Sequence, residues 1–178
     1  MPLALTLLLV VAVVLPDPLV VEVAREPAAV EVEIQLPLPL PEEQQATLAS
    51  GAEVRIAYPI RIKAKRRTVW DKRLWAGELI TIAAFDPVTG RHRCQVILDG
   101  VITSSGEVES TEAAERWLTQ PPPVRIELPE DRRGAALKVR VRAVFSRGTT
   151  WLIFPTQEAS PWVEIDLESP AEPPDTSE

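Results

Sequence analysis

An antiparallel β-sandwich or curved sheet with one or two short helices is the fold predicted by this 178-residue chain. Three observations carry that expectation. Several stretches alternate apolar and polar residues with the period of two that lays one strand face on a core. Turn signals, Asp86-Pro87-Val88-Thr89-Gly90 and Asp99-Gly100, separate such stretches. Only two short segments carry helix signals.

The chain opens on an apolar run. From Leu3 to Leu15 every residue but Thr6 is apolar, and Pro16 closes it. Thirteen residues are too few for a helix to span a bilayer, which takes about 20, but they match the apolar core of a secretory leader. No Lys or Arg precedes the run and no small-x-small site follows Leu15 cleanly, so a cleaved signal peptide and a short uncleaved anchor both stay open for 1–16. Residues 17–29 read as a linker or first strand. Residues 30–168 read as a single domain of about 140 residues, near the modal domain size. The acidic, proline-bearing 169–178 reads as a disordered tail.

Within the domain, Val30, Val32, Ile34, Leu36, Leu38 and Leu40 alternate with polar positions, so all six are expected on the core side of a strand. Pro37 and Pro39 lack the N–H of a ladder and either end that strand or place it at an edge. Pro41-Glu42-Glu43 suits a first helical turn and Gly51 a left-handed cap, which predicts a helix over 42–49. Val54, Ile56, Tyr58, Ile60, Ile62 and Ala64 then face a core, with Arg55, Arg61, Lys63 and Lys65 on the wet side. A tip at 69–75 leads to a return strand over 78–85, apolar on both faces as a central strand is. After the turn, His92, Cys94, Val96 and Leu98 share a face of a strand over 91–98, which completes a three-stranded meander.

A short strand over 101–103 is expected to pass through a loop, Ser104-Ser105-Gly106, into a helix ending at Leu118. Its stripe of Ala113, Ala114, Trp117 and Leu118 should pack on the sheet. Pro121-Pro122-Pro123 stops it. Strands are then expected over 124–128, over 137–145 with Lys138, Arg140 and Arg142 outward, and over 162–167.

The chain is acidic, with 19 Lys and Arg against 26 Asp and Glu and a net charge of −7, which argues against nucleic acid as a partner. Cys94 stands alone, so no internal disulfide forms and the core must hold the domain. Catalytic chemistry is thin. His92 and Cys94 sit two apart on one strand face, but a structural zinc site needs about four ligands, and only carboxylates such as Glu78 or Asp86 could complete one. Ser104-Ser105-Gly106 lacks a nucleophile elbow and reads as a loop with helix-capping hydroxyls. Asp71, Glu78, Asp86 and Asp99 are scattered, with no spacing that pairs two for glycosidase chemistry, and seven glycines form no phosphate-cradling loop. The expectation is a non-enzymatic chain with no catalytic residue, metal or cofactor.

One feature rises above background. Arg61, Lys63, Lys65, Arg66, Arg67, Lys72 and Arg73 place seven of the 19 cations within thirteen positions, flanked by Trp70 and Trp75. Cations beside Trp suit a membrane interface or an anionic partner; the plainer reading is a solvated strand face paired across to Glu residues, with the Trp rings packed at the sheet end.

The runs SGAEVRIAYPIRIKAKRRTVWDKRLW, ELITIAAFDPVTGRHRCQV, TEAAERWL, LKVRVRAVF and SPWVEIDL resemble, in their order, the exported bacterial family classed as domain of unknown function 4390, across about 30–168. The resemblance implies an N-terminal leader before a β-rich envelope domain and brings no established reaction. The expected role is therefore a periplasmic or otherwise extracytoplasmic binding module. It would engage an envelope protein or an anionic membrane surface through Arg61–Trp75, tethered to the inner membrane if the leader is retained. The alternative is a carrier enclosing a lipid-like ligand between the apolar faces of 54–64 and 137–145.

Overall fold

The computed structural model describes residues 19–26, 28–65, 71–150 and 154–169, with only the backbone for 146–150 and 154–158. The expected leader, the tail from Pro170 onward, and Arg66, Arg67 and Trp70 lie outside the described residues. In chain order the elements are β1 (Val20–Arg25), β2 (Ala29–Gln35), α1 (Glu42–Ala49), β3 (Val54–Ala64), β4 (Lys72–Asp86), β5 (Arg91–Leu98) and β6 (Val101–Val108). They continue as α2 (Thr111–Thr119), β7 (Val124–Glu127), a 3-10 turn at Glu130–Arg132, β8 (Leu137–Val141), β9 (Val144–Thr150), β10 (Phe154–Ala159) and β11 (Val163–Leu167). Every strand pairing is antiparallel.

Two sheets result. The smaller has the order β1-β2-β7. The larger runs β10-β9-β3-β4-β5-β6, and the far half of β3 pairs with β8, which pairs in turn with β11. The free side of β3 is thus shared: Ala57 meets Val144 of β9, and residues 60–64 meet 137–141 of β8. The inner face of the large sheet is set by register. Val54, Ile56, Tyr58, Ile60 and Ile62 lie opposite Ala83, Thr81, Leu79, Gly77 and Trp75, and β5 adds His92, Cys94, Val96 and Leu98. Val30, Val32 and Ile34 of the small sheet join the same core, together with Leu118 of α2.

The two short helices form where expected. In α1, Glu42 and Glu43 occupy the first turn, and Gly51 takes φ +83° just past the end, its N–H donating to the Leu48 carbonyl at 3.1 Å. In α2, Ser110 caps the start by accepting the Ala113 N–H on its hydroxyl at 3.1 Å. The end of α2 is buried, and its carbonyls are met from three parts of the chain. Tyr58 Oη and Thr81 Oγ1 donate to the Leu118 carbonyl at 2.8 and 2.9 Å, and the Leu36 N–H donates to the Thr119 carbonyl at 2.9 Å. Burial holds the Tyr58 phenol well above its ordinary pKa, which keeps the donated proton in place.

Several expectations are corrected. Leu38 is 44% exposed, because β2 ends at Gln35 and the proline-bearing segment turns away, while Leu36 and Leu40 remain buried. The return strand starts at Lys72, not residue 78, since Ala64 and Lys63 already pair with Lys72 and Arg73; a shift between Ile62 and Lys63 absorbs the extra residue. Ser104, Ser105 and Gly106 are not a loop: they lie in β6 opposite Val96, Gln95 and Cys94. The strand expected over 137–145 is two strands, broken where Ala143 donates to Ser160 Oγ and accepts from the Ser160 N–H. Residues 17–29, open between linker and strand, include β1, and β10 is a further strand beyond those the sequence predicts. The Asp99-Gly100 turn has φ +48° and +83°, the backbone of a type I′ hairpin.

Replacing Tyr58 by Phe should cost about 1 kcal/mol, read as a lower urea midpoint with an unchanged slope. Adding Thr81→Val strips the second donor from a buried carbonyl, so the double variant should lose more than the two single losses together; simple additivity would refute the shared acceptor.

Candidate functional site

Alternation along β3 throws Arg61 and Lys63 outward, and the pairing of β3 with β8 and β4 decides what surrounds them. Arg61 lies directly opposite Arg140, and Lys63 lies between Lys138 on one side and Arg73 on the other. Like charges directly opposite on one sheet face are destabilising, so this arrangement is held against a cost. The next strand, β11, supplies acids: Glu164 is opposite Arg140 and Asp166 opposite Lys138. Glu164 meets Arg140 Nε at 2.7 Å and Lys138 Nζ at 3.2 Å, and Asp166 meets Lys65 Nζ at 2.9 Å.

Among the described residues, with Arg142 just past the end of β8, seven cations (Arg61, Lys63, Lys65, Arg73, Lys138, Arg140 and Arg142) share this face with four carboxylates: Glu164, Asp166, Glu78 opposite Pro59, and Asp71 near Lys138. Cations are in excess. Among the described residues no carboxylate comes within ion-pair distance of Lys63, Lys72 or Arg73. The hydrogen bond to Glu164, and then its charge, raise the Lys138 pKa. The bond from Lys65 lowers that of Asp166.

Trp162, immediately before β11, lies among the arginines. The guanidinium carbons of Arg61, Arg140 and Arg142 stand 4.8, 5.0 and 4.7 Å from its ring centroid, each within cation-π range. Trp162, Lys138, Arg140 and Arg142 are therefore members of the face that the sequence candidates did not include. The available signal was the Lys138, Arg140, Arg142 alternation, which matches that of Arg61, Lys63 and Lys65.

Of the sequence candidates, Arg61, Lys63, Lys65 and Arg73 come together on this outer face, and Lys72 lies at its end opposite Ala64. Arg66, Arg67 and Trp70 fall outside the described residues. Trp75 lies on the other side of the sheet. Opposite Ile62, it folds over Gly77, where an added Cβ would sit 2.4 Å from the ring and 2.3 Å from Asp99 Oδ1. There it lines an open cleft of about 420 Å³ with Leu98, Asp99, Val101, Thr103, Arg125, Ile126 and Glu127, between β7 and the β5–β6 turn.

The outer face of the small sheet has the opposite sign. Glu22 is directly opposite Glu33, and with Glu31 they line a depression of about 230 Å³. Arg125, the cation nearest by, is held by Glu26 and Glu127.

His92 and Cys94 are both on the inner face, 5% and 1% exposed. His92 packs edge-on against Phe85 at 5.2 Å, and its Nδ1 has no hydrogen-bond partner among the described residues. Glu78, opposite Pro59, is on the outer face, and Asp86 is engaged in its turn, accepting the Val88 N–H and facing Arg93 at 3.6 Å. Among the described residues no three His, Cys, Asp or Glu side chains converge as metal ligands. Burial pushes the Cys94 thiol up to about 11, the environment of an inert sulfur. Ser104 and Ser105 lie along β6, while the helix-capping hydroxyl comes from Ser110.

Two measurements check this layout. Cys94 should react with an aromatic disulfide at pH 8 only on unfolding, so its rate should track denaturant; prompt reaction of the native protein would contradict its burial. Asp166 should titrate below the ordinary aspartate value of about 3.9, and Lys65→Gln should raise it, as followed by carboxyl-carbon NMR. Because the folded value is depressed, the pair's stabilisation is present above the ordinary value and is lost as pH falls through the depressed one.

Comparison with protein-family models, with curated proteins and with solved structures finds no match to this chain.

Proposed function

We propose that this chain is a non-enzymatic binding module of the bacterial envelope whose cationic sheet face docks on anionic lipid head groups. The observation that carries the reading is the collection, among the described residues, of seven cations against four carboxylates on one outer face of a protein with net charge −7. Local sign, rather than net charge, sets what a face attracts at distances within the roughly 8 Å screening length of physiological salt. The apolar run from Leu3 to Leu15 and the resemblance to the exported family support the envelope setting.

Magnitude supports a membrane as the occupant in combination with that run. Near an anionic bilayer each cation contributes about 1 kcal/mol, so an excess of three gives roughly 3 kcal/mol, a weak attachment alone. Stable anchoring takes two signals, and an apolar segment at the N-terminus would be the second. Of the faces that a carrier would need, Val54 to Ala64 and Leu137 to Phe145, the core side chains as far as Ala143 are 0–3% exposed and Phe145 is half-buried against them, so their packing favours the binding-face reading.

Sedimentation of the full chain with vesicles of phosphatidylcholine alone, or mixed with phosphatidylglycerol, at low and high salt checks the reading. Binding to the anionic vesicles should be salt-sensitive, and changing Lys63, Lys65, Arg66 and Arg67 together to Gln should weaken it by about tenfold or more. Equal binding by the variant, or by neutral vesicles, would sink the reading. A chain that binds neither vesicle points to an acidic protein surface as the partner.

A further inference from the structure

We infer that the cleft beside Trp75 is a binding site for an organic ammonium group carried on an apolar stem, as in an alkylamine or a lysine side chain. The cleft opens on the side of the large sheet away from the cationic face, and the inference stands independently of the membrane reading. Its apolar surface comes from the half-buried Trp75 and Leu98, the buried Ile126, and Val101, which is 66% exposed at the rim. Asp99 supplies the charge. Its N–H donates to the Glu78 carbonyl at 3.0 Å and its Oδ1 accepts the Glu78 N–H at 2.9 Å, which holds the carboxylate in place. That oxygen and the edge of the Trp75 ring lie 2.3 and 2.4 Å from where a Cβ on residue 77 would be, so carboxylate and indole are within about 5 Å of each other. Glycine at 77 leaves them that space.

Among the described residues no cation comes within ion-pair distance of Asp99, and no group engages its second carboxylate oxygen. Arg125 is the one cation lining the cleft. Glu26 and Glu127 both hold it, so that trio keeps one negative charge and Asp99 adds a second. The turn itself does not require the charge: Asn at residue 99 would accept the φ of +48° and offer the same oxygen, and Asn-Gly is the pair that a type I′ hairpin favours. What the carboxylate adds is its sign, beside an indole and at the mouth of an apolar cleft. An ammonium group matches that combination, because it has three N–H donors and no acceptor, and its stem can lie on Trp75, Leu98 and Val101. A cation at Asp99 also comes within reach of the indole, which attracts positive charge within about 6 Å of its centroid. An anionic head would meet two uncompensated negative charges, and a neutral one would gain burial alone.

Titration of the full chain with hexylammonium, hexanol and hexanoate, followed by NMR at the Trp75 indole N–H and the amides of Leu98 to Val101, tests the site. Hexylammonium should shift these signals saturably and bind about tenfold more tightly than hexanol, with hexanoate weaker than either. In Asp99→Asn, which keeps the turn and the hydrogen bond from Glu78, that preference should disappear while hexanol binding is unchanged. Circular dichroism establishes that the variant is folded; should it not be, Glu127→Gln, at an exposed position, should lower the same preference. Equal binding of hexylammonium and hexanol, no saturable shift with any of the three, or a preference that the folded variant retains overturns the site. Nα-acetyl-lysine methylamide presents the same head on a peptide backbone and separates the two sources. Tighter binding than hexylammonium assigns the ammonium to a lysine of a protein partner, equal or weaker binding assigns it to a free amine, and both uphold the site.

Discussion

The buried C-terminus of α2 ties the domain together. Helix ends leave carbonyls without partners, and a buried unpartnered carbonyl costs about 1–3 kcal/mol. Here the two last carbonyls are answered by β3 through Tyr58, by β4 through Thr81, and by the chain leaving β2 through the Leu36 N–H. One short helix is thereby fixed to both sheets. The small sheet has only three strands and two edges, and this bond beside its core side chains sets where it lies on the large one. The prolines at 121–123 that stop α2 also fix where the carbonyls fall.

With the core on one side, the outer face of β3 and β8 is released to carry charge. Lys138 and Arg140 beside Lys63 and Arg61 would be a poor design for stability alone, since the facing pairs repel. Glu164, Asp166 and the indole of Trp162, all from the same short segment at and before β11, offset part of that cost.

How far this was legible in the sequence depends on whether a feature is local. The alternation from Val54 to Ala64, the capping glycine after α1 and the Asp-Pro-Val-Thr-Gly turn each contain their own instructions, and the bounds of β3, β5 and α1 follow from them. The charged segment Lys72 to Trp75 misleads because polar residues resemble a tip, and only its pairing with Lys63 and Ala64 makes it a strand. Ser104 to Gly106 misleads in the same way: Gly106 reads as loop, and only its pairing with Cys94 makes it part of a strand. The Arg61–Arg140 and Arg–Trp162 contacts join segments far apart in the chain. No local pattern states which outer faces become neighbours, so half of the cationic cluster was visible only as a second, unconnected alternation.

The opposite signs of the two outer faces have a consequence for movement before any contact. With Glu22, Glu31 and Glu33 on one side of the sandwich and the arginine-lysine face on another, the described residues give this net anion two faces of opposite sign. In the field above a charged surface such a body experiences a torque. It would approach already turned, with the acidic sheet trailing, so that encounters are productive more often than random tumbling allows. The same polarity would let one copy's trailing face greet another's leading face, in a head-to-tail row that salt dissolves.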